Sequence, residues 1–260
     1  MKKIALIGST GSIGRQVVNV ALRYPERFQI VAMAANSNAP LFSEQIARLR
    51  PAFAVLRQES AARALPPAPQ GTRLAAGEEA FEEACAFADA DIVFVAVSGF
   101  AGLKASLLAL GAGRDIALAN KESLVVGGDL VLRKAEEKGA KILPVDSEHS
   151  AIWQCLHFDC AARYRRILLT ASGGALRDVP LQKLEKMTAK EALAHPNWDM
   201  GAKITVDCAT MLNKGFEVIE AMHLYGAPPE KIEVLVHRES IVHSMVEFED
   251  GAVLAQMGVP

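Results

Sequence analysis

Residues 3 to 23 constrain this chain most. Lys3–Ile7 is a short apolar run, Gly8-Ser9-Thr10-Gly11-Ser12-Ile13-Gly14 follows directly, and Arg15–Arg23 has helical spacing. Strand, glycine loop and helix in that order form the setting in which a backbone can approach a pyrophosphate and a helix N-terminus can offer it N–H groups. The spacing is Gly-x-x-Gly-x-x-Gly rather than the usual Gly-x-Gly-x-x-Gly. A tight βα turn without a ligand is therefore an alternative, although a place immediately after the first strand favours a dinucleotide.

The alternation continues down the chain. Strands are expected at Gln29–Ala34, Phe53–Leu56, Asp91–Val97, Asp115–Ala119 and Lys141–Val145. Helices are expected at Pro40–Arg50, Glu78–Phe87, from Gly99–Gly102 through Leu110, and at Glu122–Lys138 with Gly139 as its stop. Alternation at this spacing predicts a doubly wound parallel sheet, whose ligands bind beyond the carboxyl ends of the strands. Three polar clusters fall at such ends: Gly8–Gly14, Asn120-Lys121-Glu122 and Asp146-Ser147-Glu148-His149. Asn120 and Lys121 read equally well as the start of a helix. The second strand runs into Asn36-Ser37-Asn38 with no carboxylate to hold a ribose 2′-hydroxyl, which leans towards NADP, yet that turn has no Arg or Lys for a 2′-phosphate.

Bulk composition bounds the function. Of 260 residues 51% are hydrophobic and 22% charged, so a large core is available, and a net charge of -2 argues against a nucleic-acid binder. No apolar run reaches the ~18–20 residues of a membrane span, and the N-terminus is too quickly broken for a signal peptide. Cys85, Cys155, Cys160 and Cys208 have no Cys-x-x-Cys spacing and read as reduced thiols of a cytoplasmic protein.

From residue 146 the pattern changes. If the chain stays extended there, Asp146 and Glu148 point to one side, and a divalent cation between them would relieve their repulsion. Oxygen ligands favour Mg²⁺ or Mn²⁺. The alternative is an acidic helix start. A strand at Arg165–Ala171 leads to Ser172-Gly173-Gly174, suited to an anion or to a plain turn. Thr188-Ala189-Lys190-Glu191 is a capping box. His195–Gly201 is a loop carrying Trp198, either packed in place or a lid. Ile204–Val206 reads as a short strand, Asp207–Thr210 as a helix start, and the following helix places Asn213, Lys214 and Glu217 on one face. That face suits an anionic, metal-chelated ligand; an exposed Lys214–Glu217 salt bridge is the plainer reading. Ile232–His237, Ile241–Phe248 and Ala252–Met257 have strand character, with a hairpin turn at Glu249-Asp250-Gly251. The expected organisation is an N-terminal domain over 1–148 and an α+β domain with antiparallel strands over 149–260.

Gly8–Gly14, Ala119-Asn120-Lys121-Glu122-Ser123, Asp146-Ser147-Glu148-His149-Ser150, Thr170-Ala171-Ser172-Gly173-Gly174, His195-Pro196-Asn197-Trp198 and Asn213-Lys214-Gly215-Phe216-Glu217, taken together and in this order, resemble 1-deoxy-D-xylulose 5-phosphate reductoisomerase. The resemblance implies a Rossmann-like NADPH-binding domain, a catalytic and dimerisation domain, and a homodimer that neither enters membranes nor binds nucleic acid. It implies the rearrangement and NADPH-dependent reduction of that sugar phosphate to 2-C-methyl-D-erythritol 4-phosphate, in non-mevalonate isoprenoid synthesis. It implies Mg²⁺ or Mn²⁺ held by Asp146, Glu148 and Glu217. Substrate contacts would come from Ser147, Glu148, Ser172, His195, Cys208, Asn213, Lys214 and Glu217, with Ser240 lining the site. Catalytic roles would fall to Lys121, Glu148, His195 and Trp198, the last two in a flexible cover. The cofactor would be lined by Gly8, Thr10, Gly11, Ser12, Ile13, Asn36, Ser37, Asn38, Asn120, Lys121, Glu122 and Gly201. Three departures stand out: Cys208 where the family commonly has serine, Asn36-Ser37 where Gly-Lys or Gly-Arg is common, and an end at Pro260, before the family's C-terminal helical domain. The alternatives are a fragment that only binds dinucleotide and a metal-independent oxidoreductase of the homoserine-dehydrogenase type.

Overall fold

The computed structural model describes residues 1–157 and 163–259; Cys160 and Pro260 lie outside them. The chain divides into two compact units, Met1–Leu143 and Pro144–Pro260, a division slightly ahead of the expected boundary after residue 148.

The first unit alternates β1 (Lys2–Ile7), α1 (Ser12–Arg23), β2 (Phe28–Ala35), α2 (Ala39–Leu49), β3 (Phe53–Leu56), α3 (Glu59–Ala62), β4 (Arg73–Ala76), α4 (Glu78–Cys85), β5 (Ile92–Val95), α5 (Ala101–Gly111), β6 (Asp115–Leu118), α6 (Glu122–Lys138) and β7 (Ile142–Pro144). Strand order is β4-β3-β2-β1-β5-β6-β7, so the winding reverses between β1 and β5. Ala5, Leu6, Ile7, Val93 and Val95 are fully buried, as strands covered on both faces require. Three details differ from the sequence reading, the first being the short α3, which is not among the expected helices. β4 was not expected: its partly exposed Arg-Leu-Ala-Ala pairs only with β3, at the sheet edge, and carries little apolar signal. α6 runs over the expected residues but kinks at Gly127 (φ -143°, ψ 31°), where Leu103 of α5 comes so close that a Cβ would sit 2.8 Å from its Cδ1.

The second unit comprises α7 (Ser147–Cys155), β8 (Arg166–Ala171), α8 (Ala189–Ala192), α9 (Ala202–Ala209), α10 (Leu212–Tyr225), β9 (Ile232–Val236), β10 (Val242–Glu247) and β11 (Val253–Met257). Its sheet runs β11-β10-β8-β9. β10 is antiparallel to β8 and β11, but β8 and β9 are parallel, so the sheet is mixed rather than wholly antiparallel. The reason is topological: three α-helices lie between β8 and β9, a connection long enough to cross over and re-enter the sheet in the same direction. Ile204–Val206 is not a strand but the middle of α9. Its β-branched run imitates a strand locally, while burial of Thr205 and Ala209, four apart, follows helical spacing. The helix start expected at Asp207–Thr210 is accordingly the end of α9. Asp146 and Glu148 are not in an extended segment either: Asp146 stands at the N-cap of α7, and Glu148 lies in its first turn. Cys85, Cys155 and Cys208 form no disulfide. Among the described residues no helix is long and apolar enough to cross a membrane.

Candidate active site

In the first unit the glycine loop is built by close approach. Gly8 follows β1 at φ 98°, and a Cβ there would lie 2.6 Å from Ala96 O beyond β5. A Cβ on Gly14 would lie 2.1 Å from Gly8 O, so only glycine lets α1 start this close to the strand end. Gly11 is the N-cap of α1, and no side chain caps the helix. Thr10 is half-buried; Ser12 and Ile13 are exposed beside it. The result is a backbone cradle at the reversal of strand order, where a phosphate group fits.

Asn36, Ser37 and Asn38 are exposed at the end of β2, and Asn38 Oδ1 accepts the Leu41 N–H at 3.3 Å, capping α2. The cation their turn lacks stands on the neighbouring strand end: Arg57 N–H bonds Ala35 O at 2.9 Å, while its guanidinium pairs with Glu78. Asn120 is buried. Its Nδ2 donates to Val97 O and Gly99 O, both at 3.0 Å, and to Glu122 Oε2 at 2.8 Å; its Oδ1 accepts from Ser123 N–H and Oγ–H. The amide is thus consumed in holding the loops after β5 and β6 together, and its bearing on a ligand is through their shape. Lys121, next to it, is buried as well.

In the second unit, Asp146 and Glu148 from α7 meet Glu217 from the second turn of α10, one oxygen of each lying within 4.8 Å of the others. The Asp146 carboxylate does not cap α7, although it stands at the capping position. Three carboxylates at this spacing fit a hard divalent cation, and Mg²⁺ or Mn²⁺ suits an all-oxygen set. Lys214 is buried among them: its Nζ is 2.8 Å from Glu148 Oε1, contacts Glu217 Oε2 and donates to Thr170 O. Burial alone would push its pKa down; Glu217 and then Glu148 outweigh that and raise it, so the ammonium stays charged. Asn213 Nδ2 holds Glu217 Oε1 at 2.5 Å. The Lys214–Glu217 pair is therefore buried, not the exposed bridge of the plainer sequence reading.

Behind these groups His149 and Glu220 are buried, Nε2 to Oε2 at 3.0 Å, close but too poorly aligned for a hydrogen bond. Burial lowers the His149 pKa, but Glu220, with Asp146 and Glu217, reverses the sign and raises it. Nothing local in the sequence marks this pair, since the partners are on different helices.

The residues expected to meet an anion gather around β8. Gly173 and Gly174 have φ 83° and 74°, and a Cβ on Gly174 would lie 2.2 Å from Cys208 O. This contact seats the Ser172 turn on the last turn of α9. Met211, at φ 62°, then redirects the chain into α10, which carries Asn213 and Lys214. His195 Nε2 lies 2.9 Å from Ser172 Oγ. Arg177, absent from the sequence reading, donates to Ser172 O at 2.7 Å, and Asn197 Nδ2 donates to Arg238 O at 2.9 Å. The Trp198 ring packs 5.7 Å from that of His243. The 195–198 loop is thus anchored at three points. Ser147 is exposed and donates to Glu148 at 2.6 Å; Ser240 is buried at φ 55°; Gly201 is exposed as the N-cap of α9.

Fold and site together define a class: a dinucleotide-type α/β chain with a carboxylate–lysine cluster suited to a metal-chelated anion. Comparison with known proteins is specific. The family model for 1-deoxy-D-xylulose 5-phosphate reductoisomerase matches residues 4–128, and that for the C-terminal domain of the same enzyme matches 142–225. The reductoisomerase of Anaeromyxobacter sp. strain K is 49% identical over 260 residues, covering 100% of this chain and 67% of the relative; that of Pelotomaculum thermopropionicum is 50% identical over 263 residues, covering 68% of the relative. A crystal structure of DOX-P reductoisomerase with NADPH, fosmidomycin and magnesium superposes with a TM-score of 0.93 at 39% identity, over 100% of this chain and 67% of that one. The Zymomonas mobilis enzyme with NADPH gives 0.89 at 42%, over 100% of this chain and 67% of that one. A putative homoserine dehydrogenase from Archaeoglobus fulgidus, at 0.54 and 14%, shares the fold alone. This chain belongs to the 1-deoxy-D-xylulose 5-phosphate reductoisomerase family and spans about two thirds of the length of these relatives.

Proposed function

We propose that the chain carries the NADPH- and metal-dependent conversion of 1-deoxy-D-xylulose 5-phosphate to 2-C-methyl-D-erythritol 4-phosphate. The observation that carries this reading is the meeting of Asp146, Glu148 and Glu217 around buried Lys214. Bound there, Mg²⁺ or Mn²⁺ would act as a Lewis acid on the substrate's ketone and hydroxyl oxygens, and NADPH would supply the hydride. Ser172, Asn213, Lys214 and the Cys208 position bind the phosphate end. Ser147 and Ser240 line the substrate, and His195 positions Ser172. Trp198 covers the substrate and excludes water. Gly8, Gly11 and the N–H groups of Thr10, Ser12 and Ile13 hold the pyrophosphate of the cofactor. Asn36–Asn38 form its ribose end, and Lys121 and Glu122, shaped by Asn120, line the rest, with Gly201 a further contact.

The exposed apolar side chains of the second sheet, Val236, Val253 and Met257 among them, support a homodimer through that sheet. The reduced thiols favour a cytoplasmic protein. The test is NADPH oxidation by the purified chain with substrate and Mn²⁺, with an EDTA control. Metal-dependent turnover is expected. Cofactor binding without turnover would instead leave a dinucleotide-binding module, and turnover surviving EDTA would overturn the metal role.

A further inference from the structure

Lys214 occupies an unusual position for a phosphate-binding residue. An ammonium has three N–H donors, and here it faces three acceptors: Glu148 Oε1, Glu217 Oε2 and Thr170 O. Two of those acceptors belong to the carboxylates suited to a divalent cation. The ammonium and the cation therefore draw on the same two carboxylates, and at contact distances in a buried site their mutual repulsion is large. An anion, in turn, gains a full hydrogen bond from Lys214 only when one of the present acceptors gives up its share.

The charge count points the same way. Asp146, Glu148 and Glu217 with Lys214 sum to two negative charges. An anion entering this pocket alone meets net repulsion. With a divalent cation in place the sum becomes zero, and that repulsion is removed.

We propose that Lys214 makes divalent-cation binding and anion binding in this pocket mutually dependent, each ligand releasing the ammonium or the carboxylates that the other needs. The inference rests on the metal and phosphate roles proposed above. Because coupling is reciprocal, each ligand must tighten the other by the same factor. In this arrangement the lysine neutralises part of the carboxylate charge until cation and anion arrive together.

The test is Mn²⁺ titration of the whole chain, following free Mn²⁺ by electron paramagnetic resonance, without and with saturating inorganic phosphate. Mn²⁺–phosphate complexation is measured in protein-free buffer and subtracted. In the wild type, phosphate is expected to lower the Mn²⁺ Kd about tenfold, and Mn²⁺ to lower the phosphate Kd by the same factor. In Lys214→Gln, Mn²⁺ without phosphate should bind at least as tightly as in the wild type, and phosphate should change its Kd less than about twofold. Lys214→Met serves if the amide variant does not fold, and the wild-type reciprocity needs neither. A wild-type Mn²⁺ Kd independent of phosphate would overturn the coupling and leave the metal site standing. Coupling that persists in Lys214→Gln would assign it to direct metal–phosphate contact and overturn the role of the lysine. Failure to bind Mn²⁺ under any condition would overturn both this inference and the proposed function.

Discussion

His195 donates from Nε2 to Ser172 Oγ at 2.9 Å while its Nδ1 accepts the backbone N–H groups of Asn197 and Trp198 at 3.1 and 3.0 Å. Two donors aimed at Nδ1 place the ring proton on Nε2 and define the neutral tautomer. Ser172 Oγ also accepts the Gly174 N–H at 3.2 Å. With two N–H groups pointing at its oxygen, the hydroxyl proton is directed away from both and towards an incoming acceptor, such as a phosphate oxygen.

This geometry makes the loop sensitive to acid. Burial, and then Arg177, lower the His195 pKa below its ordinary value. A histidine with a depressed folded pKa binds fewer protons folded than unfolded. Its stabilising contribution is therefore full above the ordinary value and is lost as pH falls through that value towards the folded one. Protonation at Nδ1 removes the acceptor for both N–H groups. Hydrogen exchange at Asn197 and Trp198 should rise as pH falls below the ordinary histidine range, after correction for intrinsic rates, and in His195→Gln the step should vanish. Unchanged protection across that range would refute the tautomer assignment.

Gly14 is held to its identity by Gly8 O. Gly14→Ala forces a contact at 2.1 Å that only backbone movement can relieve. Overpacking of this kind costs about 1–3 kcal/mol, and here it also deforms the phosphate cradle. Lower Tm and weaker NADPH binding are expected together. Gly111→Ala in α5 meets nothing within 4 Å and should leave NADPH binding unchanged without lowering Tm.

Glu217→Gln removes a carboxylate oxygen from the three-ligand cluster. Changes in groups merely behind a metal ligand cost about 10–100-fold in metal affinity, so loss of a ligand should cost at least about 100-fold. NADPH affinity, which depends on the other unit, should stay within about twofold. Calorimetric titrations of Mn²⁺ and NADPH separate the two, and simultaneous loss of both would sink the assigned role.

Cys208→Ser exchanges a weak donor for a stronger one where the Ser172 turn rests on α9. A phosphonate inhibitor should bind the variant equally well or better. A large loss would reveal a role for the thiol itself. Cys85, fully buried and with its pKa pushed up to about 12 by burial, should resist alkylation until the first unit unfolds.

Features set by neighbours in the chain could be read from the residues. The β1–loop–α1 start, the extent of α6 up to Gly139 and the Thr188–Glu191 capping box all follow from local spacing, and the structure has each of them. Where local signals conflict with packing, the reading failed: Ile204–Val206 has β-branched residues yet is helical, because Thr205 and Ala209 must face the same way.

The site divides along the same line. The residues at 146, 148, 172, 195, 213, 214 and 217 are the ones to which resemblance to one family assigns metal and phosphate contacts from the sequence alone. How they meet was decided by tertiary structure. Asp146 and Glu148 approach each other at the start of a helix, not along a strand, and Glu217 reaches them from a helix some seventy positions later. The burial of Lys214 between two carboxylates, the His149–Glu220 pair behind them and the tautomer of His195 likewise depend on contacts between distant segments. Such contacts leave no periodic trace in a sequence, because periodicity reports only which face of a single element is buried.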